Sequence, residues 1–386
     1  MSVMEVVVAG HICLDIIPEL TGPITFEPGH LVEAGPATLM TGGAVSNTGQ
    51  ALFKLGVDVH LVGKVGSGLF SRAIKEILER TGEGLSKGLV DSHDTPTSYT
   101  IVVNLSGQDR MFIHAPGCNG IFGSQDVPDD LLANTRLLHF GYPPLMQRMY
   151  ENDGEELEDL FRRAKAAGCT TSLDLSLPDV NTPSGRADWK AVLTRVLPYV
   201  DLFLPSIEEL MFMLDRPTYD ALQGCRFSRL PTSQFRKLAL KSHELGAKIV
   251  AIKAAARGCY LHTIPSLSDL GRGRTEEIEE WQAKELWAPA FQVQVQGTTG
   301  AGDATIAGIL MGFLGGMGAA EALRAGVAAG ASCCEQSDAV SGVRSWADTS
   351  ARVAAGWQSV DPELDAGWAL SEGIYRGGSL YFREGA

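Results

Sequence analysis

The stretch Gly297-Thr298-Thr299-Gly300-Ala301-Gly302-Asp303-Ala304 carries the clearest chemical signal in the chain. Ile306, Ile309, Leu310, Phe313 and Leu314 follow it at helical spacing, so this glycine-rich turn opens a helix. Small residues let an anion approach the backbone. The first-turn N–H groups have no partner inside the helix, and they point at that anion along the helix dipole. Phosphate is the usual guest of such a turn. Asp303 is out of place there, because a carboxylate repels phosphate. Two readings are open. Asp303 caps the helix, or it is a base that takes the proton of a hydroxyl as a phosphoryl group is transferred to it.

Two further stretches have residues suited to a small polar ligand. In Thr41-Gly42-Gly43-Ala44-Val45-Ser46-Asn47 the paired glycines let backbone pass close to a flat, hydroxyl-rich molecule. Asn47 offers a carbonyl oxygen and an amide, which suits a hydroxyl that both donates and accepts. A plain strand-to-helix turn, with Asn47 in the first helical turn and Gly56 ending the helix, accounts for the same residues. In Gly10-His11-Ile12-Cys13-Leu14-Asp15 the Asp15 carboxylate could accept from two neighbouring hydroxyls, or stand solvated at a strand end.

These three motifs, in this order and spacing, resemble the ribokinase-like (PfkB) carbohydrate kinases from about Val6 to about Gly342. The resemblance implies a phosphotransferase that uses ATP and Mg²⁺. It implies that Asp303 is the catalytic base, that Gly300, Ala301 and Gly302 form the anion hole, and that Asp15, Gly42, Gly43 and Asn47 bind a sugar-like acceptor. Pro205-Ser206-Ile207-Glu208-Glu209 falls where the family has Asn-x-x-Glu, which implies ATP contact by Ser206 and a Mg²⁺ role, through water, for Glu209. Ser206 replaces the family's Asn and also suits a helix cap. Lys253-Ala254-Ala255-Ala256-Arg257-Gly258 falls at the family's nucleotide turn, with Ala255 in place of a glycine. Lys253, Arg257 and Gly258 are therefore expected at ATP, although a solvent-facing turn suits Lys253 equally. Gly297 stands where many members carry an Asp linked to a monovalent cation, so little response to K⁺ is expected. Tyr142, before Pro143-Pro144, falls near the family's acceptor pocket; it either contacts the substrate or is a packed turn residue. Asn119 is a further pocket candidate. A nucleoside kinase of the same fold, or a catalytically weak sugar-sensing or scaffold member, remains an alternative.

The elements that must position these residues alternate along the chain. Val6–Ala9, Val59–Val62, Leu137–Phe140, Thr171–Leu175, Leu202–Leu204 and Ile249–Ile252 read as buried strands. Amphipathic segments such as Leu69–Arg80, Asp159–Ala167 and Pro231–Leu245 lie between them. That rhythm predicts a three-layer α/β/α domain with a mainly parallel sheet, spanning residues 1–386 as one unit. Ile12–Met40 is rich in Pro, Gly and Glu, and Thr97–His114 alternates as two strands around Ser106-Gly107-Gln108-Asp109. Both break the rhythm, so residues 12–40 and 97–116 are expected to form a small β-sheet lid. A homodimer sharing that lid's edges is plausible on the same grounds. Pro265–Glu285, with charges at Glu276–Glu280, reads as a solvated excursion. The aromatic-bearing tail at 343–386 reads as an extension packed on the core.

Composition narrows the class. The chain has 386 residues, 45% hydrophobic and 20% charged, which is ordinary for a globular protein. A net charge of −14 argues against broad nucleic-acid binding. Seven scattered cysteines show neither disulfide nor zinc spacing, and the eight histidines form no ligand pattern. No signal peptide or membrane span is legible, so a cytoplasmic enzyme without a membrane partner is expected.

Overall fold

Along the first strand, Met4–Gly10, Val6 and Val8 face one way and Val7 and Ala9 the other, and all four are fully buried. Val6 and Val8 pack with Ile309, Leu310, Phe313 and Leu323. Val7 and Ala9 pack with Leu160, Phe161 and Leu193. A strand apolar on both faces belongs in the middle of a sheet with helices above and below. The computed structural model, which describes residues 4–20, 27–103, 111–222 and 227–378, has that three-layer arrangement.

From one edge, the strands Val59–Val62, Met4–Gly10, Thr135–Gly141, Thr170–Leu173, Leu202–Phe203 and Ile249–Lys253 run parallel. Cys259–Thr263, Glu285–Ala288, Ile374–Gly377 and Trp368–Ser371 then continue the sheet antiparallel. In a parallel sheet all strands point the same way, so their C-terminal ends line one edge. Polar residues placed just past those ends meet there.

A second sheet stands beside that edge, in the order Ala37–Gly42, Cys13–Pro18, Tyr99–Val103, Met111–Ala115. The two rhythm-breaking stretches thus pair with each other, Asp15 lying between Met40 and Thr100. The expected turn at 106–109 and part of the Pro/Gly-rich stretch, 21–26, lie outside the described residues. Met111, Phe112 and Ile113 are consecutive and all exposed, so neither face of this outer strand is covered.

The sequence-predicted helices form with shifted ends, at Leu69–Thr81, Glu155–Ala166 and Thr232–Glu244. One expectation is overturned. Residues 265–285 are not a solvated excursion: Leu267, Leu270, Ile278 and Trp281 are buried, and the Trp281 ring lies edge-on to Phe313 at 5.1 Å. Widely spaced apolar residues anchor the segment while Glu276, Glu277, Glu279 and Glu280 stay outside. The tail after the Trp346–Ala354 helix folds back, its Ile374–Gly377 strand pairing with Glu285–Ala288. Asp365 accepts from the Thr232 N–H and hydroxyl. Tyr381 and Phe382 lie outside the described residues, as does Cys225. The described cysteines are free thiols, all but Cys334 buried. No helix among the described residues is long and apolar enough to cross a membrane.

Candidate active site

Five strand ends and one helix start converge at the C-terminal edge of the sheet. The helix Ala301–Leu314 begins after Gly300, whose φ of 74° lies in the left-handed region. Among the described residues, the Gly302 and Asp303 N–H groups find no backbone or side-chain acceptor, as the first turn of a helix leaves them. The Ala301 N–H of the expected anion hole is engaged, donating to the Thr298 carbonyl, so the N–H groups left open are those of Gly302 and Asp303.

Asp303 sits inside that first turn, 3% exposed, and it does not act as a cap. Its Oδ2 accepts from the Tyr142 hydroxyl at 2.8 Å and from Asn47 Nδ2 at 3.1 Å. Its Oδ1 accepts from Thr48 Oγ1 at 3.1 Å. A carboxylate has about four acceptor positions, so about one remains, on Oδ1. Burial raises the Asp303 pKa, while Lys253 and these three donors oppose the rise. The Tyr142 phenol is held protonated by burial and by Asp303, so it is the donor in their bond. Tyr142 reaches Asp303 from a left-handed backbone, φ 64°, just past the Thr135–Gly141 strand.

Lys253 closes the other side. It ends its strand and its Nζ donates to Asp174 at 2.6 Å. A Cβ placed on Gly302 would lie 3.8 Å from Nζ, so the ammonium lies beside the anion hole. Burial lowers the Lys253 pKa, but Asp174, Glu209 and Asp303 outweigh it and the ammonium stays charged. Burial pushes the Asp174 pKa up, Lys253 opposes that rise, and repulsion from Glu209 and Asp303 adds to it. One cation thus serves three acids. Asp174 Oδ2 is buried without a partner among the described residues.

Ser206 caps the Ile207–Leu214 helix in a reciprocal box: its hydroxyl accepts from the Glu209 N–H, and Glu209 Oε2 accepts from the Ser206 N–H. Ser206 also bridges to Lys253, which brings the Ser206–Glu209 turn beside the lysine strand.

At the opposite end, Asp15 is pushed up to about 6 by burial, and no cation among the described residues offsets it. The paired glycines have a use that sequence reasoning missed. A Cβ on Gly42 would lie 2.3 Å from Asp15 Oδ2, and one on Gly43 would lie 2.5 Å from His11 Nδ1. Gly43 also has φ 88°. The glycines admit these two side chains before any ligand is considered.

The comparisons with known proteins bear on what such a site belongs to. The family model for pfkB family carbohydrate kinases matches residues 4–346. The chain belongs to that family. Fructokinase-2 of Oryza sativa subsp. japonica is 24% identical over 309 residues, 79% of each chain. An uncharacterized sugar kinase of Archaeoglobus fulgidus is 24% identical over 294 residues, 76% of this chain and 98% of that protein. Among solved structures, Arabidopsis thaliana ribokinase with ribose and ATP has 20% identity and a TM-score of 0.68, covering 91% of this chain and 98% of its own. Xylella fastidiosa fructokinase with bound ATP has 21% identity and the same TM-score and coverage. These two establish the fold.

Some residues assigned by family resemblance are engaged elsewhere. Arg257, expected at a phosphate, is 8% exposed and donates to the carbonyls of Leu230, Pro362 and Glu363. Its guanidinium lies 4.8 Å from the Trp287 ring centre. It clasps the tail to the turn, and its charge goes to chain carbonyls. Asn119 likewise binds backbone on both sides, accepting from the Ile12 N–H and donating to the Ile12 carbonyl. Ala255 takes φ 48°, which explains the family's glycine; an alanine there costs about 1 kcal/mol. Gly258, at φ 100°, passes so close to Ala288 O that a Cβ would lie 2.0 Å from it. Asp174 and Thr48 were not foreseen as site residues. The only sequence signal for Asp174 is a carboxylate interrupting the apolar run Thr171–Leu175.

Proposed function

We propose that the chain transfers the γ-phosphoryl group of ATP to a hydroxyl of a sugar or sugar-like molecule. The observation that carries this reading is the Asp303 carboxylate, buried in the first turn of a helix whose N–H groups lack acceptors, with Tyr142 and Asn47 donating to it. A mere anion site has no use for a carboxylate at that point. A phosphoryl transfer has, because the attacking hydroxyl must lose its proton close to the phosphate.

In this reading the acceptor hydroxyl hydrogen-bonds to the free position on Asp303 Oδ1, while Asp15, Asn47 and Tyr142 hold the rest of the molecule beside Gly42 and Gly43. The open N–H groups of Gly302 and Asp303 and the Lys253 ammonium face the γ-phosphate, where charge shifts during transfer. ATP lies along Ser206, Lys253 and the Ala254–Gly258 turn, with Arg257 supporting that turn through the tail. Positioning supplies most of the rate, and Asp303 takes the proton late.

The residues present fit a magnesium ion. Two carboxylates, Asp174 with an unpartnered oxygen and Glu209, lie close enough to Lys253 to shift its charge balance, and Mg²⁺ takes oxygen ligands while keeping several waters. When bound, it would screen the phosphate charges. The Glu209→Gln variant should need a several-fold higher Mg²⁺ concentration for half-maximal turnover; an unchanged metal titration removes Glu209 from that role.

The small sheet is proposed as the lid over the acceptor, since water excluded from the site cannot take the phosphoryl group. Its exposed Phe112 and Ile113 suit a second copy of the chain across the outer Met111–Ala115 strand. Free buried thiols suit a cytoplasmic setting. ATP consumption measured against neutral sugars, polyols, sugar acids and nucleosides tests the reading. Turnover of a sugar or polyol supports it, a nucleoside as the best acceptor replaces the substrate class, and no turnover with any acceptor rejects the chemistry.

A further inference from the structure

His11 is 2% exposed, and neither of its ring nitrogens has a hydrogen-bond partner among the described residues. A neutral imidazole has one donor and one acceptor, so burying both without partners is unfavourable, and packing alone gives no reason for a histidine there. Its ring lies 5.2 Å from the His114 ring and 6.2 Å from that of Tyr142, whose hydroxyl binds Asp303. His11 follows the first core strand, whereas His114 is on the outermost strand of the small sheet. His114 Nδ1 is 3.0 Å from Thr100 Oγ1, which leads through Cys13 to Asp15, and its Nε2 is also buried without a partner. Asn47 Oδ1 is a fourth such atom. The unused hydrogen-bonding capacity of this region therefore gathers between the core and the small sheet, around the residues assigned to the acceptor.

We infer that His11 and His114 form a two-histidine clamp on the acceptor, one imidazole from the core and one from the lid, and that the clamp selects an uncharged molecule with neighbouring hydroxyls. Such hydroxyls both donate and accept, as the free nitrogens require. Burial lowers the pKa of both rings, and His114 further opposes charging His11. A carboxylate or phosphate on the acceptor would meet Asp15, which has no cation beside it among the described residues, and Asp303. Lys253 is already paired with Asp174. The proposal rests on the kinase reading above and adds the residues and the charge rule for its acceptor.

The test measures turnover of D-fructose, D-ribose and D-glucitol against D-gluconate and D-ribose 5-phosphate, in the wild type, His11→Ala and His114→Ala. The expected result is turnover of neutral acceptors only. Each variant should raise the KM for the neutral acceptor about tenfold or more while the KM for ATP moves less than twofold. His114→Gln, which restores an amide near the lost nitrogen, should recover part of that affinity. Should His11→Ala fail to fold, His114→Ala on the outer sheet carries the test alone. An unchanged acceptor KM in an active variant overturns the clamp and leaves the kinase reading intact. A charged acceptor that outperforms its neutral counterparts overturns the charge rule. Absence of turnover in the wild type with any of these acceptors overturns the clamp together with the kinase reading.

Discussion

Asp303→Asn should lower turnover by about 10³-fold, the scale of a lost general base, while ATP binding and the melting temperature change little. The substitution is nearly isosteric, and the three donors around Asp303 can be kept. Tyr142 and Asn47 Nδ2 both still donate to the one remaining oxygen, and Thr48 can turn its hydroxyl to accept from the new amide. A buried charge disappears and Lys253 keeps Asp174 and Glu209, so the folded state loses no ion pair. The wild-type rate should also fall on the acid side of neutrality, and that limb should lie above the ordinary carboxylate range. Burial raises the Asp303 pKa, and only the deprotonated form can act as a base. Steady-state kinetics, nucleotide titration and a thermal melt check these outcomes together. If the variant turns over within a few-fold of the wild type, Asp303 is a structural carboxylate and the base must be sought elsewhere.

How far the site could be read from sequence depended on how local its cause was. The helix start at Gly300–Asp303 was legible because glycine, alanine and the following apolar period act within one turn. The small sheet was legible as a loss of rhythm on two stretches, although their pairing, Asp15 between Met40 and Thr100, is a long-range fact. Arg257 looked like a phosphate ligand because its position in the turn is local, but its partners at Pro362 and Glu363 lie more than a hundred residues downstream. Asp174 carries no motif. It enters the site only because the Thr170–Leu173 strand lies between the strands ending at Gly141 and Phe203, and strand order is not written in any one segment. Gly42 and Gly43 were assigned to ligand approach, whereas Asp15 and His11 already fill the space their missing side chains leave. Residues 265–285 misled because four buried anchors are outnumbered by charges that face outward.

The largest effect on stability should come from Lys253→Met. Methionine keeps the side chain's length and apolar stem, so the change isolates the ammonium. Without it, Asp174, Glu209 and Asp303 face one another with no cation in the cluster, and Asp174 is 1% exposed. Removing one partner of a buried pair costs about 3–5 kcal/mol, against a typical total of about 5–15 kcal/mol for a folded protein. The sign of the pH response follows from Asp174. Its folded pKa already lies above the unfolded value because burial disfavours the carboxylate, so protonation favours the folded form. Loss of Lys253 raises that pKa further. The variant's deficit should therefore grow as pH rises above the unfolded carboxylate range, and shrink as acid protonates Asp174. Adding Asp174→Asn to Lys253→Met removes the unpaired charge and should recover most of the stability. It should not recover turnover, which falls by about 10²-fold or more when a charge beside the transferring group is lost. Melting curves at pH 5 and pH 8 with kinetics on the single and double variants separate the two roles. A single variant as stable as the wild type at pH 8 would mean that the three acids are neutralised by some other group, and a double variant with normal turnover would remove Lys253 from the phosphate side of the site.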